Sequence, residues 1–257
     1  MTKLFLDIGN TRIKRAVIDN NQYHYLDAFS IEEFLVESDP KRLVGEYKLD
    51  SIYITSVTSL DNLELIKSVI QQACGIFPIV LTSQKSNCGL TTGYDDFHKL
   101  GDDRWMAMQG AIGLFKQPVI IVSAGTAMTV DAILDGKHLG GFIVPGLTSL
   151  RAALASDTAA LSFTKPTELK ESETAVDHSL LASNTESAIL GGTLYMTAAF
   201  LNTIVKDLNS QVETLFKVVM TGGNASKLCS LLDYECEVIP DLILHGMINI
   251  EESVKKV

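Results

Sequence analysis

The chain has 257 residues, 46% hydrophobic and 20% charged, which is enough apolar material for a buried core and excludes a disordered chain. With 21 Lys and Arg against 31 Asp and Glu, its net charge is −10, which argues against nucleic acid or an anionic membrane surface as the main partner. A small anion remains compatible with that balance, because a local cluster of donors outweighs the global sign.

The chain opens with a strand signal, Leu4-Phe5-Leu6, running into the polar, Gly-containing turn Asp7-Ile8-Gly9-Asn10-Thr11. Apolar residues resume at Ile13 and Ala16-Val17-Ile18, so the segment reads as a hairpin. A third strand is predicted over Tyr23 to Phe29, then a short helix from Ser30, with Glu33 three residues on as in a capping box. Ser51 to Val57 reads as a strand, Asp61 to Ala73 as a helix and Phe77 to Leu81 as a strand. Gly101-Asp102-Asp103-Arg104 opens a helix in which Trp105, Met108 and Ile112 share one face. Ala107, Gly110, Ala111 and Leu114 form a second face of smaller residues suited to close packing, within the chain or against another copy.

The opening pattern then recurs. Val119-Ile120-Ile121-Val122 is a buried-strand run, Ser123-Ala124-Gly125-Thr126-Ala127 a small-residue turn, and Met128 to Leu134 a second strand. A third strand spans His138 to Val144, and helices are expected over Leu147 to Ala155 and Glu186 to Leu208. Ser156 to Thr174, polar and aperiodic, is expected to be a mobile loop. Val218-Val219-Met220 is a strand ending at Thr221-Gly222-Gly223-Asn224-Ala225; a helix, a short strand to Ile239 and a helix after Pro240 close the chain. Laying Leu6-Asp7-Ile8-Gly9 over Val122-Ser123-Ala124-Gly125 aligns the two hairpins, so the fold class is α/β, a duplicated unit divided into residues 1–117 and 118–257, with a ligand cleft expected between the halves.

Compartment follows from the same residues. Asp7 comes too early for a signal-peptide apolar region, and the longest apolar candidate, Val119 to Leu134, is cut by Ser123, Thr126, Thr129 and Asp131. Cys74, Cys88, Cys229 and Cys236 show no Cys-x-x-Cys spacing, and the five histidines offer no zinc set. The expectation is a cytoplasmic protein with reduced cysteines, no membrane span and no nucleic-acid partner.

Three glycine turns carry the chemistry. In the first, Asp7 stands at a strand end, Gly9 lets backbone N–H groups face a ligand, Asn10 and Thr11 add donors and Lys14 adds a cation: a set suited to phosphate, with an acid suited to Mg²⁺. The second is Ala124-Gly125-Thr126-Ala127, and the third, Gly222-Gly223, lies at a strand-to-helix junction where an adenosine could approach the backbone. None matches the dinucleotide fingerprint or the P-loop. Asp102-Asp103-Arg104 combines acids favoured at a helix start with an Arg that opposes the helix dipole, a pairing suited to an anionic substrate whose hydroxyl needs orienting. Tyr94 is either a core anchor or a substrate-contacting phenol, and Thr185, before Glu186, reads as a helix cap.

The ordered set resembles the type III pantothenate kinases of the acetate kinase, sugar kinase and actin superfamily. It comprises Asp7-x-Gly9-Asn10-Thr11-x-x-Lys14, Gly93-Tyr94, Gly101-x-Asp103-Arg104-Trp105, Gly125-Thr126-Ala127-x-Thr129-x-Asp131, Gly140-Gly141-x-Ile143-x-Pro145-Gly146, Asn184-Thr185 and Gly222-Gly223-x-Ala225, across essentially the whole chain. The resemblance implies two ribonuclease H-like (actin-like ATPase) domains with an interdomain nucleotide cleft. It implies phosphorylation of pantothenate by ATP, the first step of coenzyme A synthesis, and a homodimer with pantothenate near the subunit interface. By the same resemblance Asp7, Ile8, Gly9, Asn10, Thr11, Arg12, Ile13 and Lys14 form the first phosphate loop, with Asp7 placing Mg²⁺, and Thr126, Gly222 and Gly223 meet ATP. Asp103 accepts the proton of the pantothenate hydroxyl, and Tyr94, Gly101, Asp102, Asp103, Arg104 and Thr185 bind pantothenate. One position departs from the pattern: much of the family has Asp, associated with K⁺ or NH₄⁺, where this chain has Ser123.

Overall fold

In the computed structural model, which describes residues 1–37, 39–157 and 181–254, the chain divides into two units. One comprises Met1–Val119, Asp131–Gly140 and Asp241–Val257, the other Ile120–Val130 and Gly141–Pro240. Most of the stretch expected as a loop, residues 158–174, lies outside the described residues.

The sheet of the first unit is built on β1 (Lys3–Ile8), β2 (Arg12–Asp19) and β3 (Gln22–Ser30), paired antiparallel. α1 (Ile31–Glu37) follows as predicted, the Ser30 hydroxyl accepting from the Glu33 N–H at 3.3 Å. α2 (Pro40–Val44) is an addition to the sequence reading: Asp39 caps it and Pro40 occupies its first turn, where a missing N–H costs nothing. β4 (Ser51–Ser56) runs parallel to β1; α3 (Leu60–Cys74) crosses back under a Ser59 cap, and Gly75 closes it at φ +71°. β5 (Ile79–Val80), shorter than expected, completes the order β3-β2-β1-β4-β5. Every residue of β1 is buried, as a central strand covered on both faces requires, and Leu4, Leu6, Ile8, Ile13, Ile52 and Ile54 form the core.

A small hairpin follows, β6 (Ser86–Asn87) and β7 (Leu90–Thr91), turning at Cys88 and Gly89, both at positive φ. A 3₁₀ turn, Phe97–Lys99, leads into α4 (Asp102–Leu114). Arg104 through Ala111 are buried without a break, so α4 is enclosed all round rather than amphipathic.

The second unit repeats the plan with β8 (Val119–Ala124), β9 (Ala127–Leu134) and β10 (Lys137–Pro145). α5 (Leu147–Asp157), α6 (Thr185–Val212), β11 (Lys217–Thr221), α7 (Ala225–Cys229) and β12 (Cys236–Val238) follow. Its strand order, β10-β9-β8-β11-β12, is that of the first unit. The duplication legible in the sequence is therefore a duplication of sheet topology. The tip of the β9–β10 hairpin, Asp131–Gly140, belongs to the first unit, where Lys137 pairs with Thr91 of β7. The last helix, α8 (Leu242–Val254), also belongs to the first unit and packs on α4. A Cβ at Gly246 would overlap the Met106 carbonyl, and one at Gly110 the Leu242 carbonyl, so only glycine permits this approach. The small-residue face of α4 is thus occupied inside the chain. Lys3 fastens the other side of α8 to β1 through a buried ion pair, its Nζ lying 2.7 and 2.8 Å from the Glu251 oxygens.

Two expectations are corrected. Cys229 and Cys236, expected to be reduced, are paired as a disulfide, while Cys74 and Cys88 are free. Among the described residues, the helix long and apolar enough to cross a membrane is α6 and not the stretch Val119 to Leu134, although length and composition alone set that criterion and a third of its apolar window is buried in the fold. Gly191, Gly192, Tyr195, Met196 and Ala199 form an exposed stripe along it.

Candidate active site

The first unit holds the predicted residues Asp7 to Lys14, Tyr94 and Gly101 to Arg104. Asp7 stands next to last in β1, paired in register with Lys14 of β2, whose Nζ lies 3.9 Å from its carboxylate. The intervening turn is closed by the Gly9 N–H donating to the Arg12 carbonyl at 3.0 Å, leaving Asn10, Thr11 and Arg12 exposed. Ile8 and Ile13, assigned to nucleotide binding, have fully buried side chains in the core, so only their backbone is open to a ligand. Burial pushes the Asp7 carboxyl up to about 6; Lys14 opposes this and nearby Asp103 adds to it.

Asp102 and Asp103 occupy the first turn of α4 and do different things. Gly101 precedes the helix and has no side chain to cap it. The Asp102 carboxylate accepts from the Ser83 N–H at 2.6 Å and lies 2.7 Å from the Ser83 hydroxyl, tying the helix start to the segment after β5. Asp103 accepts from the Arg104 N–H at 2.8 Å. Burial raises the Asp103 pKa, against that hydrogen bond and the positive charge of Arg104.

Arg104 turns inward. Its Nε and Nη2 donate to the two oxygens of Asp131 at 3.0 and 2.6 Å, and its Nη1 donates to the Tyr94 hydroxyl at 2.7 Å. Arg104 and Asp131 are 4% and 2% exposed, so the pair is out of water. Burial alone would weaken the guanidinium charge; the Asp131 carboxylate more than offsets it and holds Arg104 protonated. The guanidinium lies over the Tyr94 ring, 5.4 Å from its centre, and His138 stacks on that ring at 5.8 Å. His138 also sits 2.9 Å from Asp131. Tyr94 is therefore an anchor for Arg104 and His138, with its side chain half-exposed. Asp131 appeared in the sequence only as part of a motif, and His138 only as a strand start.

The second unit holds the other predicted loops. Thr126 is exposed at the tip of the β8–β9 turn, its carbonyl accepting from the Gly146 N–H at 2.9 Å and the Ser149 hydroxyl at 2.7 Å. Gly222, at φ +97°, lies so close to the Ala124 carbonyl that no side chain fits; Gly223 beside it is exposed. Ser123 is half-buried at the end of β8. The cap of α6 is Asn184, whose side chain accepts from the Ser187 N–H at 2.8 Å, not Thr185 as read from sequence. Thr185 is exposed in the first turn, with its hydroxyl not needed for capping.

A family model described as type III pantothenate kinase matches residues 3–207. The type III pantothenate kinase of Hydrogenovibrio crunogenus (strain DSM 25203 / XCL-2) is 36% identical, covering 98% of this chain and 99% of its own. That of Nitrosococcus oceani is 31% identical, covering 99% and 95%. Among solved structures, the activator of 2-hydroxyisocaproyl-CoA dehydratase from Clostridium difficile, with bound ADPNP, has a TM-score of 0.52 at 14% identity, covering 100% of this chain and 98% of its own. Ethanolamine utilization protein EutJ from Carboxydothermus hydrogenoformans also has a TM-score of 0.52, at 16% identity, covering 98% and 90%. These two likenesses concern the fold: duplicated ribonuclease H-like domains of the actin-like ATPase type.

The raised Asp7 pKa makes the ionised carboxylate a liability to folding. Above about pH 6 the folded state carries a charge that the unfolded chain solvates better; between about 6 and the ordinary value of 3.8 this penalty fades. Asp7→Asn is expected to stabilise the protein by about 1–3 kcal/mol at pH 8 and by almost nothing at pH 4. Denaturant unfolding at the two pH values checks this, and an equal effect at both would contradict the electrostatic cause.

Proposed function

The chain belongs to the type III pantothenate kinases, and from that premise we propose which of its residues carry the reaction. The enzyme phosphorylates pantothenate to 4'-phosphopantothenate with ATP as co-substrate, in coenzyme A biosynthesis. The observation that carries the assignment of roles is the first turn of α4, where Asp103 is held beside a guanidinium whose charge is already balanced.

Phosphoryl transfer passes through a loose transition state, so positioning and charge neutralisation matter more than a strong base. Asp103 accepts the proton of the pantothenate hydroxyl. Its raised pKa brings it nearer the working pH, where a general base is most effective. Arg104 has two N–H groups beyond those given to Asp131 and Tyr94, and these, with the Tyr94 hydroxyl, Gly101 and Thr185, are assigned to pantothenate. Asp102 contributes by fixing the helix start. The turn from Asp7 to Lys14 is assigned to the ATP phosphates, and Thr126, Gly222 and Gly223 to the nucleotide.

Mg²⁺ fits Asp7. Among the described residues no group of three His, Cys, Asp or Glu is poised to enclose a metal, but Mg²⁺ keeps its waters and substrate phosphates and needs only one or two carboxylates. Bound there, it would supply neutralisation of phosphate charge. For K⁺ or NH₄⁺, Ser123 offers a neutral oxygen, and Asp131, the next acid along, is committed to Arg104 and His138. We therefore assign weak or absent monovalent-cation dependence to this enzyme.

We further propose a homodimer, cytoplasmic like its co-substrate ATP, with the sequence repeat dividing at residues 117 and 118. The small-residue face of α4 gives the dimer no support, being covered by α8. Support comes from α6, where Gly191, Gly192, Tyr195, Met196 and Ala199 present a stripe, exposed among the described residues, to a second copy. Thr185 begins the same helix.

An ADP-release assay with pantothenate tests these assignments. Asp103→Asn is expected to lower turnover by about 10²–10⁴-fold with the fold intact by circular dichroism; activity within a few-fold of wild type would remove Asp103 from the mechanism. In sodium-only, potassium and ammonium buffers of matched ionic strength, turnover is expected to be nearly equal, whereas a large saturable activation would show that Ser123 does not weaken the cation site. Gly192→Arg is expected to yield a poorly active monomer in sedimentation; a monomer of full activity would refute the dimer.

A further inference from the structure

Behind the proposed pantothenate contacts lies a histidine that none of the roles above uses. His138, at the start of β10, is 3% exposed. Its Nε2 is 2.9 Å from Asp131 Oδ1, the same oxygen that accepts from Arg104 Nη2 at 2.6 Å. Its Nδ1 is buried with no hydrogen-bond partner among the described residues. These facts fix its chemistry. Both oxygens of Asp131 already accept from Arg104, so Asp131 is an acceptor here, and the matching tautomer of His138 donates from Nε2.

The same ring supports Tyr94. It lies nearly parallel to the phenol, at an interplanar angle of 16°, on a backbone that presses against the loop carrying that residue: a Cβ at Gly93 would overlap the His138 carbonyl. Tyr94 is thus backed by His138 and fixed at its hydroxyl by Arg104, which donates to the phenol oxygen and leaves the O–H proton to be given elsewhere. His138 touches both ends of this arrangement, the carboxylate that orients the guanidinium and the ring that the guanidinium faces.

We propose that His138, donating from Nε2 to Asp131, is a positioning residue for pantothenate, holding the Asp131 carboxylate against the Arg104 guanidinium and backing Tyr94. The inference rests on the assignment of Arg104 and Tyr94 to pantothenate. His138→Phe keeps a ring against Tyr94 and removes the donor; His138→Gln keeps a donor near the place of Nε2. His138→Phe is expected to raise KM for pantothenate about tenfold, the scale of losing a hydrogen bond to a charged group, with KM for ATP unchanged; His138→Gln is expected to stay within about threefold of wild type. Arg104→Lys in the same assay separates the two layers. If it leaves KM for pantothenate unchanged, the underlying assignment fails and the proposal with it. If it raises that KM while His138→Phe stays within twofold of wild type, the proposal alone is overturned. It is also overturned if His138→Phe raises both KM values alike or if Gln rescues nothing. Should His138→Phe fail to fold, ¹⁵N spectra of the histidine-labelled wild type decide: a ring protonated on Nδ1 alone, with no proton on Nε2 to donate to Asp131, would overturn the proposal.

Discussion

The ion pair between Arg104 and Asp131 governs the geometry of the candidate site. Two charges removed from water are tolerated only when they meet in good geometry with further hydrogen bonds around them, as here: side-on contact at 3.0 and 2.6 Å, a third bond from Arg104 to Tyr94, and His138 on the carboxylate. Loss of either partner would leave a buried charge uncompensated, at about 3–5 kcal/mol. Because Arg104 is the third residue of α4, its anchoring sets the rotation of the helix start and so the direction of Asp103. Asp102 fixes the same turn from the other side, through Ser83. Three consecutive charged residues thus divide the work between structure and chemistry.

Much of the fold was legible because the physics is local. Buried β1 and β8 read as apolar runs, the hairpins as runs broken by glycine, and Ser30 as a cap three residues before Glu33. The missed elements were also signalled, but weakly. Asp39-Pro40 is a helix start that a five-residue helix hardly advertises, and β6 and β7 are two residues each, too short for periodicity. At α6, Asn184 and Thr185 are both plausible caps, and only backbone geometry distinguishes them.

The site was legible unevenly, for a different reason. Asp7, Asp103 and Tyr94 sit beside turns or helix starts, where local sequence announces them. The inward turn of Arg104, the engagement of Asp102 and the role of His138 depend on partners 27, 19 and 7 residues away in the chain. No pattern encodes such pairings; they follow from register. Ile8 and Ile13 show the converse: a motif places them in a ligand-binding run, while their side chains belong to the core and leave only backbone to offer. The disulfide between Cys229 and Cys236 was hidden because spacing alone does not bring two sulfurs together.

The ion pair between Lys3 and Glu251 has a consequence for how the molecule is made. The first unit is discontinuous: its central strand leaves the ribosome before the second unit does, and the helix that covers α4 leaves after it. A chain built domain by domain folds its leading domain while the rest is still being translated. Here the leading sheet must wait, with Lys3 lacking its counter-charge and Gly110 its opposing helix, until α8 emerges. Contacts of such long sequence separation slow folding and make the final collapse a single late event. Premature termination before residue 241 would therefore damage the amino-terminal unit, although every residue lost lies at the other end of the chain.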